Sequence, residues 1–197
     1  MRKKTEDRRP QKTRRALNEA LLSLMFEKSY DSIVVQEILD RANIGRSTFY
    51  IHFRDKDELL ADGIHHQLGK LLHDAQAATV VSSTNRYEKV IGFSLAMFEH
   101  AYDFKKLYWT MVRSGSWVNV QQHLDEILFN LMKKEAQLLY KKNRTAELPL
   151  ELFIQVLTST FISVMTWWFN AKNPIPPKEI NSYYRKLVLP TLIEYLD

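Results

Sequence analysis

Five polar side chains within seven residues, Arg46, Ser47, Thr48, Tyr50 and His52, carry the chemistry most visible in this sequence. All are hydrogen-bond donors or acceptors, of lengths that reach base edges and phosphates. None forms part of a nucleophile–base arrangement, so the chemistry they offer is recognition rather than bond making. A major groove admits a single helix and is read mainly by that helix's N-terminal turns. Phe49 and Phe53, four residues apart, share the opposite face and pack inward together, leaving the five polar residues outside.

This short helix needs a partner to hold it. Ile33, Val35, Ile38, Leu39 and Ala42 recur at helical spacing, which predicts a helix over 33–42. Asn43 follows at the position where a left-handed residue ends a helix. Ile44 pins the turn, and Gly45 is an acceptable N-cap for the second helix. Together they read as a helix-turn-helix. A further helix from about Lys12 to Glu27 presents Leu17, Ala20, Leu21 and Leu24 as one stripe and supplies the core of a three-helix unit.

The run Ala42-Asn43-Ile44, Arg46-Ser47-Thr48-Phe49-Tyr50, His52-Phe53, Asp55-Lys56 and Leu59-Leu60 resembles the TetR family of bacterial transcriptional regulators. So does the upstream pattern Glu27-Lys28, Tyr30-Asp31, Ile33, Val35, Ile38. The resemblance covers residues 12–60. It implies that Arg46, Ser47, Thr48, Tyr50 and His52 read DNA and that Lys56 clamps a phosphate. It further implies a homodimer on a palindromic double-stranded operator, most often a repressor released by a small-molecule effector and held together by the last two helices. The stretch from Trp167-Trp168 through Pro174 to Tyr183-Tyr184 is similar to the C-terminal domain of regulators from low-GC Gram-positive bacteria. Some of those are activators controlled by a partner protein, the alternative reading. Two positions depart from the pattern. Val34 stands where a capping Thr is usual, so that cap must come from Ser32, from water, or be missing. Gly45 replaces a Ser that often opens the recognition helix.

Composition agrees with a DNA-binding role. The 197 residues include 28 Lys or Arg against 23 Asp or Glu, for a net charge of +5, and no cysteine. The absence of cysteine excludes a disulfide framework and any thiolate metal site, and is compatible with a reducing cytoplasm. Residues 1–15 carry eight basic residues against Glu6 and Asp7, leaving the rest close to neutral. Residues 1–11 read as a flexible basic arm for a phosphate backbone or minor groove, with Arg8, Arg9 and the nearby Arg14 as its contacts. The basic N-terminus lacks the apolar segment of a signal peptide.

Beyond residue 54 the chain reads as a second helical domain over 55–197. Asp55 caps a long helix to about Ala78; helices follow over 87–102, 104–112, 117–142, 152–169 and 177–196, the last kinked at Pro190. No segment has a strand period, so the fold class is all-α. The aromatic-rich set Phe93, Met97, Phe98, Tyr102, Trp109, Phe129, Phe161 and Met165 is the candidate effector pocket, with ordinary core as the competing reading.

Residues 152–169 carry no charge, which approaches the length of a membrane span. Gln155, Ser159, Ser163, Thr166 and Asn170 nevertheless line one side, which lipid would oppose. A dimer interface is the better reading, with Leu157, Phe161, Trp168, Tyr184, Leu187 and Val188 in it and no membrane. No phosphate-binding glycine loop, catalytic constellation or metal-ligand spacing is present: His65 and His66 point apart, and His66 and His73 lie two turns apart. The expectation is therefore no enzyme, no cofactor and no metal.

Overall fold

The fold is that of a computed structural model, which describes residues 8–82, 85, 87–113, 115, 117–139, 148–171 and 175–196. Among them every regular element is helical: α1 (Arg8–Glu27), a 3-10 turn (Tyr30–Ser32), α2 (Val35–Ala42), α3 (Arg46–His52), α4 (Lys56–Ser82), α5 (Glu88–Ile91), α6 (Ser94–Asp103), α7 (Lys105–Arg113), α8 (Trp117–Leu139), α9 (Leu150–Asn170) and α10 (Pro177–Leu196). The chain divides into two compact units, residues 1–66 with 106–120, and residues 67–105 with 121–197.

The first unit is built on α1. Leu17, Leu21 and Leu24 are buried on it, as are Tyr30, Ile33, Ile38, Leu39, Phe49, Phe53 and Leu59 from the elements that follow. Full burial of each such side chain contributes roughly 1.5–3 kcal/mol relative to exposure. α1 begins at Arg8, not at Lys12 as the apolar stripe suggests, so residues 8–11 belong to a helix rather than to a flexible arm. Pro10 does not prevent this, because the N–H groups of a first helical turn have no intrahelical acceptor. Residues 1–7 of the arm lie outside the described residues.

Close approach fixes how α1 meets α4. A Cβ built on Gly63 would lie 2.6 Å from Asn18 Oδ1, and Asn18 Nδ2 itself donates to Asp62 Oδ2 at 3.0 Å. Arg14 Nη1 donates to the other oxygen of that carboxylate at 2.7 Å. In the same unit the Tyr108 and Trp117 rings meet edge to face at 4.3 Å.

The second unit buries an aromatic core. Phe161 lies 5.2 Å from Phe93 and 5.0 Å from Phe98, and Phe98 meets Trp168 edge to face at 5.6 Å. A buried polar link crosses it, from Ser94 Oγ on α6 to Asn181 Oδ1 on α10 at 2.7 Å. α9 is long and apolar enough to cross a membrane by composition, yet half of its apolar window is buried inside the protein. Two of its hydroxyls are satisfied within the helix: Thr158 donates to the Ile154 carbonyl at 2.9 Å and Thr160 to that of Val156 at 2.8 Å.

Several boundaries differ from the sequence expectation. α4 continues past Ala78 to Ser82, because no Gly or Pro stops it. The helix expected over 87–102 is α5 and α6, interrupted at Gly92 and Phe93, which retain helical φ and ψ. α10 keeps the expected bounds, Pro177–Leu196, with Pro190 inside it. Residues 140–142, expected at the end of α8, lie outside the described residues.

Candidate nucleic-acid interface

α2 starts without a side-chain cap. Val34 has no oxygen to offer, and Ser32 Oγ is turned back to the Ser29 carbonyl at 2.7 Å. Glu37 supplies half of a capping box instead: its Oε2 accepts from the Val34 amide at 3.0 Å. Lys28 Nζ holds the other carboxylate oxygen at 2.5 Å. These donors hold the Glu37 carboxyl below its ordinary pKa, the Lys28 bond most of all.

Asn43 ends α2 with φ 53° and ψ 48°, and among the described residues it is the one non-glycine with positive φ. Asn and Gly tolerate that left-handed conformation best, which is why the chain can reverse there. The Ile44 amide returns to the Leu39 carbonyl at 3.0 Å. Gly45 then opens α3 with φ −70° and ψ 148°, values any residue adopts.

α3 is seated by Phe49 and Phe53, both buried, with ring centroids 5.9 Å apart. Seating them turns Arg46, Ser47 and Tyr50 outward to solvent, while Thr48 and His52 are half-buried at the flanks. The outward side chains thus include three of the five residues singled out from the sequence. Two residues not singled out share the surface. Ile51 on α3 is 77% exposed, a methyl-bearing side chain on an otherwise polar face. Gln36, in the first turn of α2, accepts from Arg46 Nη2 at 2.8 Å. The sequence signal for Gln36 is its polar pairing with Asp40 at i and i+4, off the apolar stripe of α2.

The basic residues expected at phosphates are placed differently from one another. Lys56 does not extend into solvent. Its ammonium donates to the carbonyls of Tyr30 at 2.9 Å, Asp31 at 3.3 Å and Ile33 at 2.9 Å. It also lies 4.5 Å over the Tyr30 ring. Tyr30 in turn donates its hydroxyl to Asp57; burial, then that carboxylate, push its pKa far up, so the phenol stays protonated. Arg14 is held by Asp62 and lies 5.3 Å over the Phe53 ring. Arg8 and Arg9 fall in the first turn of α1, and their side chains lie outside the described residues. Asp55 caps α4 as expected, accepting from the Glu58 amide at 2.8 Å.

Most of the aromatic set of the second unit is buried. Phe93, Met97, Phe98, Phe161 and Met165 are buried, Phe129 is half-buried, and Tyr102 stacks on Trp168 at 6.1 Å while remaining exposed. Trp109 belongs to the other unit. Within the core the Tyr184 hydroxyl is buried with no hydrogen-bond partner among the described residues, and its ring lies 5.2 Å from that of Phe161. Burial alone raises its pKa.

The residues expected at a dimer interface divide in the same way. Leu157, Phe161, Trp168, Tyr184 and Val188 are buried in the chain's own core, and Leu187 alone of the six is exposed. The outward apolar face of α9 and α10 is made by Leu152, Val156, Trp167, Tyr183 and Leu187, from 40% to 59% exposed. It borders a groove of about 620 Å³ whose lining includes Ser159 and Ser163. The apolar stripe of α9 has two sides: Phe161 and Trp168 turn to Phe98 and the core, and Trp167 stays outside.

Comparison with known proteins agrees with this geometry. The family model described as bacterial regulatory proteins, tetR family, matches residues 17–62. A second, described as a transcriptional regulator C-terminal region, matches residues 88–189. An uncharacterized HTH-type transcriptional regulator of Bacillus subtilis (strain 168), YxbF, is 37% identical over 82 residues, 41% of this chain and 21% of that protein. The match therefore spans about a fifth of that relative's length. A TetR transcriptional regulator from Streptococcus agalactiae 2603V shares the fold at TM-score 0.61 and 24% identity, over 92% of this chain and 96% of the other. A TetR-family regulator from Syntrophomonas wolfei str. Goettingen does so at TM-score 0.66 and 17% identity, over 93% and 96%. With a helix-turn-helix whose outward face is polar and two family models that together take in most of its length, the chain belongs to the TetR family of bacterial transcriptional regulators, non-enzymatic DNA-binding proteins.

Proposed function

We propose that this chain is a cytoplasmic homodimeric repressor that binds a palindromic operator through α3 and is released by a small-molecule effector. The observation that carries the DNA reading is the outward presentation of Arg46, Ser47 and Tyr50 on a helix seated by Phe49 and Phe53. Thr48 and His52 flank that face at its edges. Arg8 and Arg9, in the first turn of α1, add sequence-independent affinity through phosphates. Two recognition helices on one face of the duplex need a separation near ~34–36 Å or a multiple of it, so a stable dimer is part of the mechanism. The exposed face of α9 and α10 supplies its surface, self-complementary about a two-fold axis.

The effector reading is supported by the aromatic cluster around Tyr184. A buried hydroxyl without a partner costs about 1–3 kcal/mol, and a ligand atom accepting from it would recover that cost. A ligand that favours one spacing of the two α3 helices over another then shifts operator affinity by its differential binding.

The test is selection of duplex fragments from a random pool by the purified protein, followed by binding to the enriched sequence. The expected result is a palindrome, with Arg46→Ala and Thr48→Ala each relaxing discrimination at particular positions by about 1–3 kcal/mol. A pool with no enriched sequence would refute the operator reading.

A further inference from the structure

Arg46 does not meet solvent alone. Its Nη2 donates to Gln36 Oε1 at 2.8 Å, and Gln36 Nε2 donates to Asp40 Oδ1 at 2.8 Å. The orientation of the amide follows from these neighbours. A carboxylate only accepts and a guanidinium only donates, so the Gln36 NH2 must face Asp40 and its oxygen must face Arg46. The platform beneath is firm. Gln36 and Asp40 are one turn apart on α2, whose Ile38 and Leu39 are buried. Arg41, next to Asp40, binds Glu27 on α1 through both guanidinium ends, at 2.7 and 3.0 Å.

We infer that Gln36 is a positioning residue for Arg46 and that the pair selects a guanine in the operator. The inference rests on the groove reading of α3 given above. An arginine has five N–H donors in a fixed fork, and the bond to Gln36 uses one. The rest remain for the acceptors O6 and N7 that guanine presents in the major groove. Adenine presents a donor beside its N7, which a guanidinium cannot satisfy. Holding a long, rotamer-rich side chain before the DNA arrives reduces the ordering cost of the contact. Exclusion of water on binding strengthens the bond to Gln36 as well. Asp40 completes the device by fixing the amide, without reaching the base itself.

The experiment uses full-length protein and the operator enriched in the selection above, with every base pair varied singly in competition binding. Gln36→Ala should lower discrimination by about two- to tenfold, the range expected for losing the pre-ordering of one side chain. The loss should fall at the same base pair that Arg46→Ala affects, and that base pair should be G·C. Asp40→Ala should act at the same position more weakly, and Gln36→Ala should have no further effect in an Arg46→Ala background. Both α2 positions are exposed, so thermal stability should stay unchanged and an altered preference cannot be ascribed to misfolding. A changed preference at a different base pair would mean that Gln36 reads DNA directly and would overturn the inference. So would unaltered discrimination in Gln36→Ala while Arg46→Ala loses it. If Arg46→Ala itself leaves every preference intact, the groove reading fails together with the inference.

Discussion

The ammonium of Lys56 lies 4.5 Å over the ring of Tyr30 and donates to that residue's own carbonyl at 2.9 Å. With the carbonyls of Asp31 and Ile33 also accepting, all three of its protons are used inside the protein. Lys56 therefore ties the first turn of α4 to the chain entering α2. Hydrogen bonds to a charged group are worth ~1.5–3 kcal/mol. We expect Lys56→Ala to destabilise the protein by about 1–2 kcal/mol, since the site is only partly buried. The slope of log affinity against log salt should hardly change. Calorimetry and a salt titration check both; unchanged stability with a shallower slope would show that Lys56 turns outward to a phosphate.

The two glycines of α4 should respond differently to the same substitution. Nothing lies within 4 Å of a Cβ on Gly69, so Gly69→Ala should stabilise by about 0.5–1 kcal/mol through helix propensity. Gly63→Ala gains the same propensity but displaces the Asn18 amide, which loses its bond to Asp62 at a cost of about 1 kcal/mol. Its net effect should be near zero or negative. Denaturant unfolding of the two variants side by side measures the difference; equal gains would mean that Asn18 moves aside freely.

Leu187→Glu should abolish dimerisation while leaving the fold intact, because Leu187 is 59% exposed. Leu157→Glu is not an equivalent test: Leu157 is 2% exposed, and a carboxylate there would unfold the second unit before it reported on an interface. Sedimentation at micromolar concentration, with far-UV circular dichroism as the control, reads the outcome. A folded Leu187→Glu dimer with full operator affinity would place the interface elsewhere.

Tyr184→Phe should raise stability by about 1 kcal/mol or more, because it removes a buried hydroxyl that has no partner among the described residues and keeps the ring. If that hydroxyl receives an effector, the same variant should weaken release from the operator. Thermal unfolding without ligand gives the first result. A loss of stability would mean that the hydroxyl is already satisfied.

What the residues determined alone is the local part of this protein. The reversal at Asn43, the cap at Asp55 and the helical period of Phe49 and Phe53 depend on neighbours within one or two turns, so they are written in short stretches of sequence. For the same reason the all-helical class and the outward direction of Arg46, Ser47 and Tyr50 are legible in the residues themselves. Tertiary packing decided the rest. Whether Lys56 faces a phosphate or three carbonyls depends on where the turn at Tyr30 comes to lie, 26 residues away in the chain. Which side of α9 is core depends on both α6 and α10: Leu157, Phe161 and Trp168 are buried in the second unit's core, and Val156 and Trp167 are left outside. A helical period marks a face as apolar, but it carries no information about which partner covers that face. The link from Gln36 to Arg46 was hidden for a related reason. It joins two polar side chains on different helices, and only the left-handed turn at Asn43 brings them within 2.8 Å.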